Sequence, residues 1–209
     1  MIDAIFFDLD GTLIDTESLA LASGLAAFAA MGHPVDEEFM HRLIGKDMPT
    51  AGRLIAAALP GLDQAGLHSL WGERFQAATA DGLPLKPGAE TLLSARLRPM
   101  ALVTSSGRDE AHRKLGIAGI ADAFETIVTF HDVAAPKPAP EPYLLAAERL
   151  GVSPARCLVF EDSETGAESA HRAGCIVVQV PDVAPSEGRW AHHLAEDLIS
   201  GARMAGIWG

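Results

Sequence analysis

Short apolar runs that stop abruptly at polar residues recur along this chain, and they constrain its fold more than any other feature. The first run, residues 4–7, ends at two aspartates one residue apart, Asp8 and Asp10. Similar runs occupy residues 99–103, 125–130, 156–160 and 175–180. Runs of this length are typical of strands buried on both faces of a sheet. They predict a sheet whose strands end in polar loops.

Helical patterns separate the later runs. Residues 141–150 and 164–173 are each followed by a glycine, Gly151 and Gly174, as is common just beyond a helix. The alternation of strands and helices predicts the α/β class, with a doubly wound, Rossmann-like parallel sheet between layers of helices. In such sheets ligands bind at the carboxyl ends of the strands, which is where the polar residues of this chain lie.

Residues 15–84 contain no β-type run. They hold four Ala- and Leu-rich segments with the apolar spacing of packed helices, at residues 18–31, 37–44, 50–59 and 64–80. Glycines and prolines separate these segments. We therefore predict a helical domain at residues 15–84, inserted into a Rossmann-like core formed by residues 1–14 and 85–209.

Length and composition limit the classes of function. A chain of 209 residues can bury a full hydrophobic core, and its net charge of −12 argues against a nucleic-acid partner. No apolar run approaches the ~20 residues of a membrane span, and no N-terminal basic segment precedes an apolar stretch. We expect a cytoplasmic protein without a membrane partner, monomeric by default, whose two cysteines are buried free thiols.

Two acidic pairs follow predicted strands. Asp8 and Asp10 repel each other unless a cation or a shared proton offsets their charge. Glu161 and Asp162 follow the run at 156–160. Acidic residues also end strands and cap turns without any function, but four carboxylates at one sheet edge favour a hard cation. The sequence therefore predicts Mg²⁺ at this edge, held by carboxylates together with a substrate phosphate.

A lysine and two hydroxyl residues complete the candidate site. Prolines at 136 and 138 hold the backbone of Lys137 extended, which is a reason to place one lysine rather than leave it solvated. Its ammonium would neutralise a carboxylate nucleophile and a phosphate. Thr104 and Ser105 precede a predicted helix, where hydroxyls either cap the helix or form a phosphate seat with its free N–H groups.

Four separated motifs, taken in order, resemble those of the haloacid dehalogenase-like hydrolase superfamily. They are DLDGTL at residues 8–13, VTSS at 103–106, KPAPEPY at 137–143 and FEDSETG at 160–166. The resemblance covers nearly the whole chain and is strongest to the branch of β-phosphoglucomutase and small sugar-phosphate phosphatases. The predicted helical insert corresponds in position to the helical cap of that family.

The resemblance implies a covalent mechanism with Mg²⁺ as cofactor. Asp8 would be the nucleophile that becomes an aspartyl-phosphate, and Asp10 the general acid and then the general base. Thr104 and Lys137 would bind the phosphoryl oxygens. The backbone carbonyl of Asp10 would add to the metal site. The metal ligands implied are Asp8, Asp10, Glu161 and Asp162.

Departures from the family patterns discriminate within the superfamily. Dehalogenases and phosphonate-cleaving relatives lack the second aspartate, so Asp10 argues against both. The mutase branch has a histidine where this chain has Ala20, and an arginine in a cap loop that has only Lys46 here. These differences favour hydrolysis of a small phosphate ester, a sugar or polyol phosphate, and leave a phosphosugar mutase as the alternative. Substrate contacts are expected at Ser105, Glu17, Gly45, Lys46 and Arg74.

Two non-enzymatic interpretations remain open. A signalling receiver domain also uses a phosphorylated aspartate, an acidic pair, a hydroxyl and a lysine, but its acidic pair comes first along the chain. Here the candidate nucleophile, Asp8, comes first and the pair at residues 161–162 comes last. A binding protein on the same fold would keep the four motifs without turnover. Residues of the helical insert, mostly Ala, Leu and Gly, do not identify a substrate.

Overall fold

The computed structural model describes residues 1–43, 48–80, 82–182 and 186–209. Two compact units are present: a core unit, residues 1–15 with 84–209, and a helical unit, residues 16–83. None of the helices in these described ranges combines the length and the apolar character that crossing a bilayer requires.

The described residues of the core unit form a parallel sheet of six strands with helices packed on it, which confirms the predicted α/β class. The strands are β1 Ala4–Phe7, β2 Met100–Val103, β3 Thr126–Val128, β4 Cys157–Glu161, β5 Ile176–Gln179 and β6 His193–Leu194. Their order across the sheet is β3-β2-β1-β4-β5-β6, and every neighbouring pair is parallel. This is the order of doubly wound dinucleotide-binding-type sheets, in which the winding direction reverses beside β1.

The central strand β1 has no solvent-facing side. All four of its residues are buried, and the ring of Phe7 stacks on that of Phe160 at 5.2 Å between centroids. Burial of a side chain of this size stabilises a fold by about 1.5–3 kcal/mol. Burial on both faces explains why the run is continuously apolar rather than alternating.

Five helices complete the described part of the core unit. They are α5 Ala89–Ala95, α6 Arg108–Ala118, α7 Glu141–Leu150, α8 Glu164–Arg172 and α9 Leu198–Met204. Helix α7 packs on β2 and β3, and α8 packs on β4 and β5. The predicted glycine stop of α7 is confirmed, because Gly151 adopts φ 65° and donates its N–H to the carbonyls of the last turn.

The edge strand β6 was not predicted from the sequence. It contains only His193 and Leu194, which pair with Val178 and Gln179 of β5. The neighbouring His192 accepts a hydrogen bond from the backbone N–H of Val177 through Nδ1, at 3.1 Å. Two residues, one of them polar, carry no periodic pattern, so only pairing with β5 makes this segment a strand.

The described residues of the helical unit form four α-helices, as predicted. They are α1 Thr16–Ala30, α2 Glu37–Leu43, α3 Met48–Ala58 and α4 Gln64–Ala80. Phe28 fills the centre of the unit and packs on Phe39 and Trp71, with ring centroids 5.9 Å and 6.2 Å away. A side chain at Gly24 would overlap Met40 and the Trp71 ring, so a glycine permits the close packing of α1 against α4.

Candidate active site

Three neighbouring strands bring predicted catalytic and metal-binding residues to one edge of the sheet. Asp8 follows β1, Thr104 follows β2, and Glu161 is the last residue of β4. The register aligns these ends, because the last residue of β1 pairs with both Leu102 and Phe160. The edge lies at the carboxyl ends of the strands where the winding direction reverses, which is where doubly wound sheets bind ligands.

Lys137 links two of the predicted carboxylates. Its Nζ lies 2.6 Å from Oδ1 of Asp8 and 2.5 Å from Oε1 of Glu161, and it also donates to the carbonyl of Val103 at 2.9 Å. The lysine side chain is only 5% exposed. A buried ammonium is costly unless it is paired and hydrogen-bonded, and here three acceptors surround it. The fold thus places one cation between two carboxylates from neighbouring strands.

Burial and the charge of the ion-pair partner shift the pKa values of Asp8 and Lys137 in opposite directions. Burial raises the pKa of Asp8 to about 7, against the lowering effect of Lys137, while Glu161 and Asp10 raise it further. Burial by itself lowers the pKa of Lys137, but the carboxylates of Asp8 and Glu161 outweigh it and hold that pKa above its ordinary value. The lysine is therefore a permanent cation in this site.

Glu161 has no solvent exposure and is held at both carboxylate oxygens. Its Oε1 accepts a hydrogen bond from the phenol of Tyr143 at 2.7 Å, in addition to the one from Lys137. Its Oε2 accepts from the hydroxyl of Ser163 at 3.1 Å. Burial, followed by the charge of Glu161, raises the pKa of Tyr143 well above its ordinary value, so the phenol stays a donor. Tyr143 was not among the predicted site residues, although it is the chain's single tyrosine and lies in the third motif.

The space for the Glu161 carboxyl group depends on a glycine. A Cβ on Gly166 would lie 1.8–2.1 Å from the three carboxyl atoms of Glu161. Gly166 lies in the first turn of α8, and its N–H donates to the hydroxyl of Ser163, the residue that caps this helix. The helix therefore starts against the acidic group without a side chain between them.

Asp162 is positioned from the loop after β1. The hydroxyl of Thr12 donates to its Oδ1 at 3.2 Å. Gly11 adopts φ 81°, and a Cβ there would lie 2.6 Å from the other carboxylate oxygen of Asp162. Glycine is thus needed at position 11 both for its backbone angle and for the approach of Asp162.

An oxygen-rich group that could hold a cation is formed by Asp8, Glu161 and Asp162. Each offers a carboxylate oxygen, and these three atoms lie within 4.8 Å of one another. Hard anionic oxygens without nitrogen or sulfur are the donor set that suits Mg²⁺. The Asp10 side chain is not in this group. Its predicted place in the metal site, through the backbone carbonyl, stays a prediction.

The Asp10 carboxylate binds Lys114, which was not among the predicted site residues. Lys114 Nζ lies 2.8 Å from Oδ1 and 2.9 Å from Oδ2 of Asp10, and Ser106 Oγ donates to Oδ2 at 2.9 Å. Lys114 lies on α6, whose buried residues also include Ala111 and Leu115. The sequence did contain a signal for Lys114, because this lysine lies on the same face of the helix as the apolar residues Ala111 and Leu115.

The hydroxyls after β2 differ in burial. Thr104 is buried, its N–H donates to the carbonyl of Val128 at 2.9 Å, and its Oγ1 accepts from the N–H of Ser106 at 3.0 Å. Ser105 is exposed in the same loop. Neither hydroxyl caps α6, which begins after Gly107 without a side-chain cap. The helix-capping interpretation is therefore wrong, and the phosphate-seat interpretation stays a prediction.

The predicted substrate contacts outside the core unit are only partly described. Glu17 lies in the first turn of α1, and Arg74 is exposed on α4. Gly45 and Lys46 lie outside the described residues. The role of all four in substrate binding stays a prediction.

A family model for haloacid dehalogenase-like hydrolases matches residues 2–174, which is more than half of the chain. The chain belongs to this family. It is 35% identical to a fructose-1-phosphate phosphatase of Escherichia coli over 182 residues, covering 84% of this chain and 95% of that protein. It is 36% identical to hexitol phosphatase A of the same organism over 177 residues, covering 83% and 81%.

A solved structure of the same family has a closely similar fold. It is the haloacid dehalogenase-family hydrolase of Deinococcus radiodurans, crystallised with bound phosphate and sodium. Its TM-score with this haloacid dehalogenase-like chain is 0.85 at 29% identity, covering 99% of this chain and 97% of that one. The predicted family is thus confirmed.

Proposed function

We propose that this haloacid dehalogenase-like hydrolase is a Mg²⁺-dependent phosphatase that acts on a small phosphorylated metabolite, a sugar or polyol phosphate. The observation that carries the proposal is the cluster at Asp8, whose carboxylate contacts a buried lysine and lies beside two further carboxylates. The names of the relatives, which act on fructose 1-phosphate and hexitol phosphates, support this substrate class.

In the first step, an oxygen of Asp8 forms a bond to phosphorus while the bond from phosphorus to the ester oxygen breaks. Asp10 donates a proton to the departing oxygen, so that the product leaves as an alcohol. Lys137 neutralises charge that gathers on the phosphoryl oxygens, because its ammonium already lies 2.6 Å from Asp8. Mg²⁺ bound by the carboxylates would neutralise charge on the same phosphoryl group.

In the second step, water attacks the phosphorus of the aspartyl-phosphate. Asp10, now without its proton, takes one from that water, and the bond between Asp8 and phosphorus breaks to release inorganic phosphate. Backbone N–H groups and the hydroxyl of Thr104, in the loop before α6, would donate hydrogen bonds to the phosphoryl oxygens. Asp8 and Asp10 return to their starting forms, so the cycle balances.

The mutase alternative requires that the phosphoryl group return to sugar rather than to water. Ala20, where the resembled mutases have a histidine, has no group that exchanges protons; its carbonyl accepts a hydrogen bond from the Trp71 indole at 3.0 Å. Hydrolysis is therefore the favoured outcome. Conversion of a hexose 1-phosphate into its 6-phosphate, stimulated by the bisphosphate and without net phosphate release, is the result that would favour the mutase.

The test is a panel of phosphate esters assayed for phosphate release by the purified protein with Mg²⁺, including fructose 1-phosphate, hexitol phosphates and p-nitrophenyl phosphate. We expect turnover that ceases on chelation, returns with Mg²⁺, and falls by at least a thousandfold in Asp8→Asn. Undiminished turnover by Asp8→Asn would remove the nucleophile assignment. Absence of phosphate release from every ester would overturn the proposed function.

A further inference from the structure

Lys114 is a buried cation for which the proposed reaction has no role. It lies in the middle of α6 with a side chain only 7% exposed. Burial by itself lowers its pKa, but Asp10, and then Glu110, outweigh burial and raise that pKa. A lysine at a buried helix position needs a charged partner, and Asp10 is one that lies 104 residues away in the sequence.

The contact with Asp10 restricts the orientation of that carboxylate. The ammonium lies within 2.9 Å of both oxygens, and Ser106 Oγ donates to one of them while accepting from Lys114 at 3.1 Å. The three side chains form a closed triangle of hydrogen bonds. Rotation of the carboxylate about its terminal bond would break at least one side of the triangle. One helix and the loop before it thus supply two partners of the Asp10 carboxylate.

We propose that Lys114 is a positioning residue for Asp10. By binding both carboxylate oxygens, it holds Asp10 in the orientation from which the acid and base steps take place. The proposal rests on the proposed function, in which Asp10 protonates the departing oxygen and later activates water. Proton transfer by a positioned carboxylate is sensitive to errors of position near 1 Å, which gives the restraint a kinetic consequence.

The opposing explanation is that Lys114 only stabilises the packing of α6. The two explanations differ in how they depend on the leaving group. A p-nitrophenolate leaves without a proton, whereas a sugar or polyol alkoxide needs one. A loss of packing slows the first step by the same factor with both ester types, whereas a misplaced Asp10 slows the first step only with the alkyl ester.

The test compares Lys114→Met with wild type on p-nitrophenyl phosphate and on the alkyl phosphate of the panel with the highest kcat/KM. We expect kcat for the alkyl ester to fall by about 10- to 100-fold while KM stays within about twofold of the wild-type value. This loss of kcat is smaller than the loss expected when a general acid is removed altogether. With p-nitrophenyl phosphate the first step is retained and hydrolysis of the aspartyl-phosphate slows. Rapid mixing should then show a burst of nitrophenolate, larger than that of wild type, that approaches one per active site.

A matched control and a double variant complete the test. Glu110→Gln removes a second carboxylate partner of Lys114, a half-exposed group 2.9 Å from Nζ, and should keep wild-type kinetics. In an Asp10→Asn background, Lys114→Met should cause no more than about a twofold further loss, because the residue it positions has already lost its function. An equal loss in both backgrounds would overturn the proposal.

The outcomes separate this proposal from the proposed function. If wild type hydrolyses phosphate esters but Lys114→Met equals it, or loses the same factor on both ester types without a burst, only the role of Lys114 fails. If wild type hydrolyses none, the proposed function itself fails. Should Lys114→Met not fold, Lys114→Gln, whose amide keeps a donor without the charge, is assayed for the same split between ester types.

Discussion

The phenol of Tyr143 donates a hydrogen bond to Oε1 of Glu161 at 2.7 Å, and this oxygen also receives the Lys137 ammonium. Tyr143 and Glu161 both have no solvent exposure. The ring of Tyr143 further lies 5.1 Å below the ammonium and stacks on Phe6. One aromatic side chain from α7 therefore supports a carboxylate and a cation of the candidate site at once.

Tyr143→Phe should destabilise the protein and reduce its activity. The substitution keeps the ring and its packing but leaves Glu161 Oε1 with one donor fewer, at a cost of about 1–3 kcal/mol in the free energy of unfolding. Urea denaturation measures this. Ser69→Ala is the control, because it removes an exposed hydroxyl-to-Glu73 bond of 3.1 Å and should change stability by less than about 0.5 kcal/mol. Equal effects of the two substitutions would contradict the prediction.

Gly166→Ala should lower both activity and stability. In a helix this change normally stabilises by about 0.5–1 kcal/mol, but here the methyl group would overlap the Glu161 carboxyl group. Overpacking of this kind costs about 1–3 kcal/mol, and kcat should fall by at least tenfold because Glu161 moves. Gly116→Ala, in α6 with no atom within 4 Å of the added methyl, should be stabilising instead. Urea denaturation of both variants should therefore show a lower free energy of unfolding for Gly166→Ala and a higher one for Gly116→Ala.

Thr12→Val should weaken Mg²⁺ binding without changing the reaction itself. Valine has the same shape but lacks the hydroxyl that donates to Asp162 Oδ1 at 3.2 Å. Loss of such a supporting hydrogen bond typically costs ~10- to 100-fold in metal affinity. Titration of activity with Mg²⁺ should show a shifted midpoint and a kcat at saturation within about twofold of wild type. An unchanged midpoint would mean that Thr12 does not support the metal site.

Cys157 and Cys175 should be unreactive in the folded protein. Burial raises the pKa of each thiol to about 12, so almost no thiolate exists at pH 8. A disulfide reagent at pH 8 should label neither cysteine until urea unfolds the chain, and then both. Rapid labelling of the folded protein would contradict the burial of these thiols.

The same shifts predict a loss of stability in alkali. A folded-state pKa above the unfolded value of 9.0 means that the thiols' contribution is fully present below pH 9 and is lost as the pH rises toward 12. The free energy of unfolding should fall by about 1.4 kcal/mol per pH unit for each thiol in that interval. The double variant Cys157→Ala/Cys175→Ala should show a shallower decline, which separates the thiols from other groups.

Much of the fold was predictable because strands and helices follow from local sequence patterns. A strand buried on both faces reads as a continuous apolar run, so Ala4–Phe7 and its neighbours in the sheet were predicted close to their observed bounds. The helices followed from apolar spacing and from glycine stops such as Gly151. The strand His193–Leu194 was not predicted, because its extended form depends on pairing with β5 rather than on its own residues.

The sequence by itself determined which chemical groups end the strands. Asp8, Thr104 and Glu161 had to meet once their strands were parallel, since the carboxyl ends of parallel strands share one edge. Motif order and spacing were enough to identify the family, because they need no knowledge of contacts.

Only the tertiary structure decided which partner each carboxylate has. Lys114 meets Asp10 across 104 positions of sequence, and Tyr143 meets Glu161 across 18. Local periodicity relates a helical residue to neighbours three or four positions away, and it places Lys114 on a buried face without naming what it touches. The partner is set by where the tertiary structure places α6 and α7, because a buried charge is stable only beside its complement.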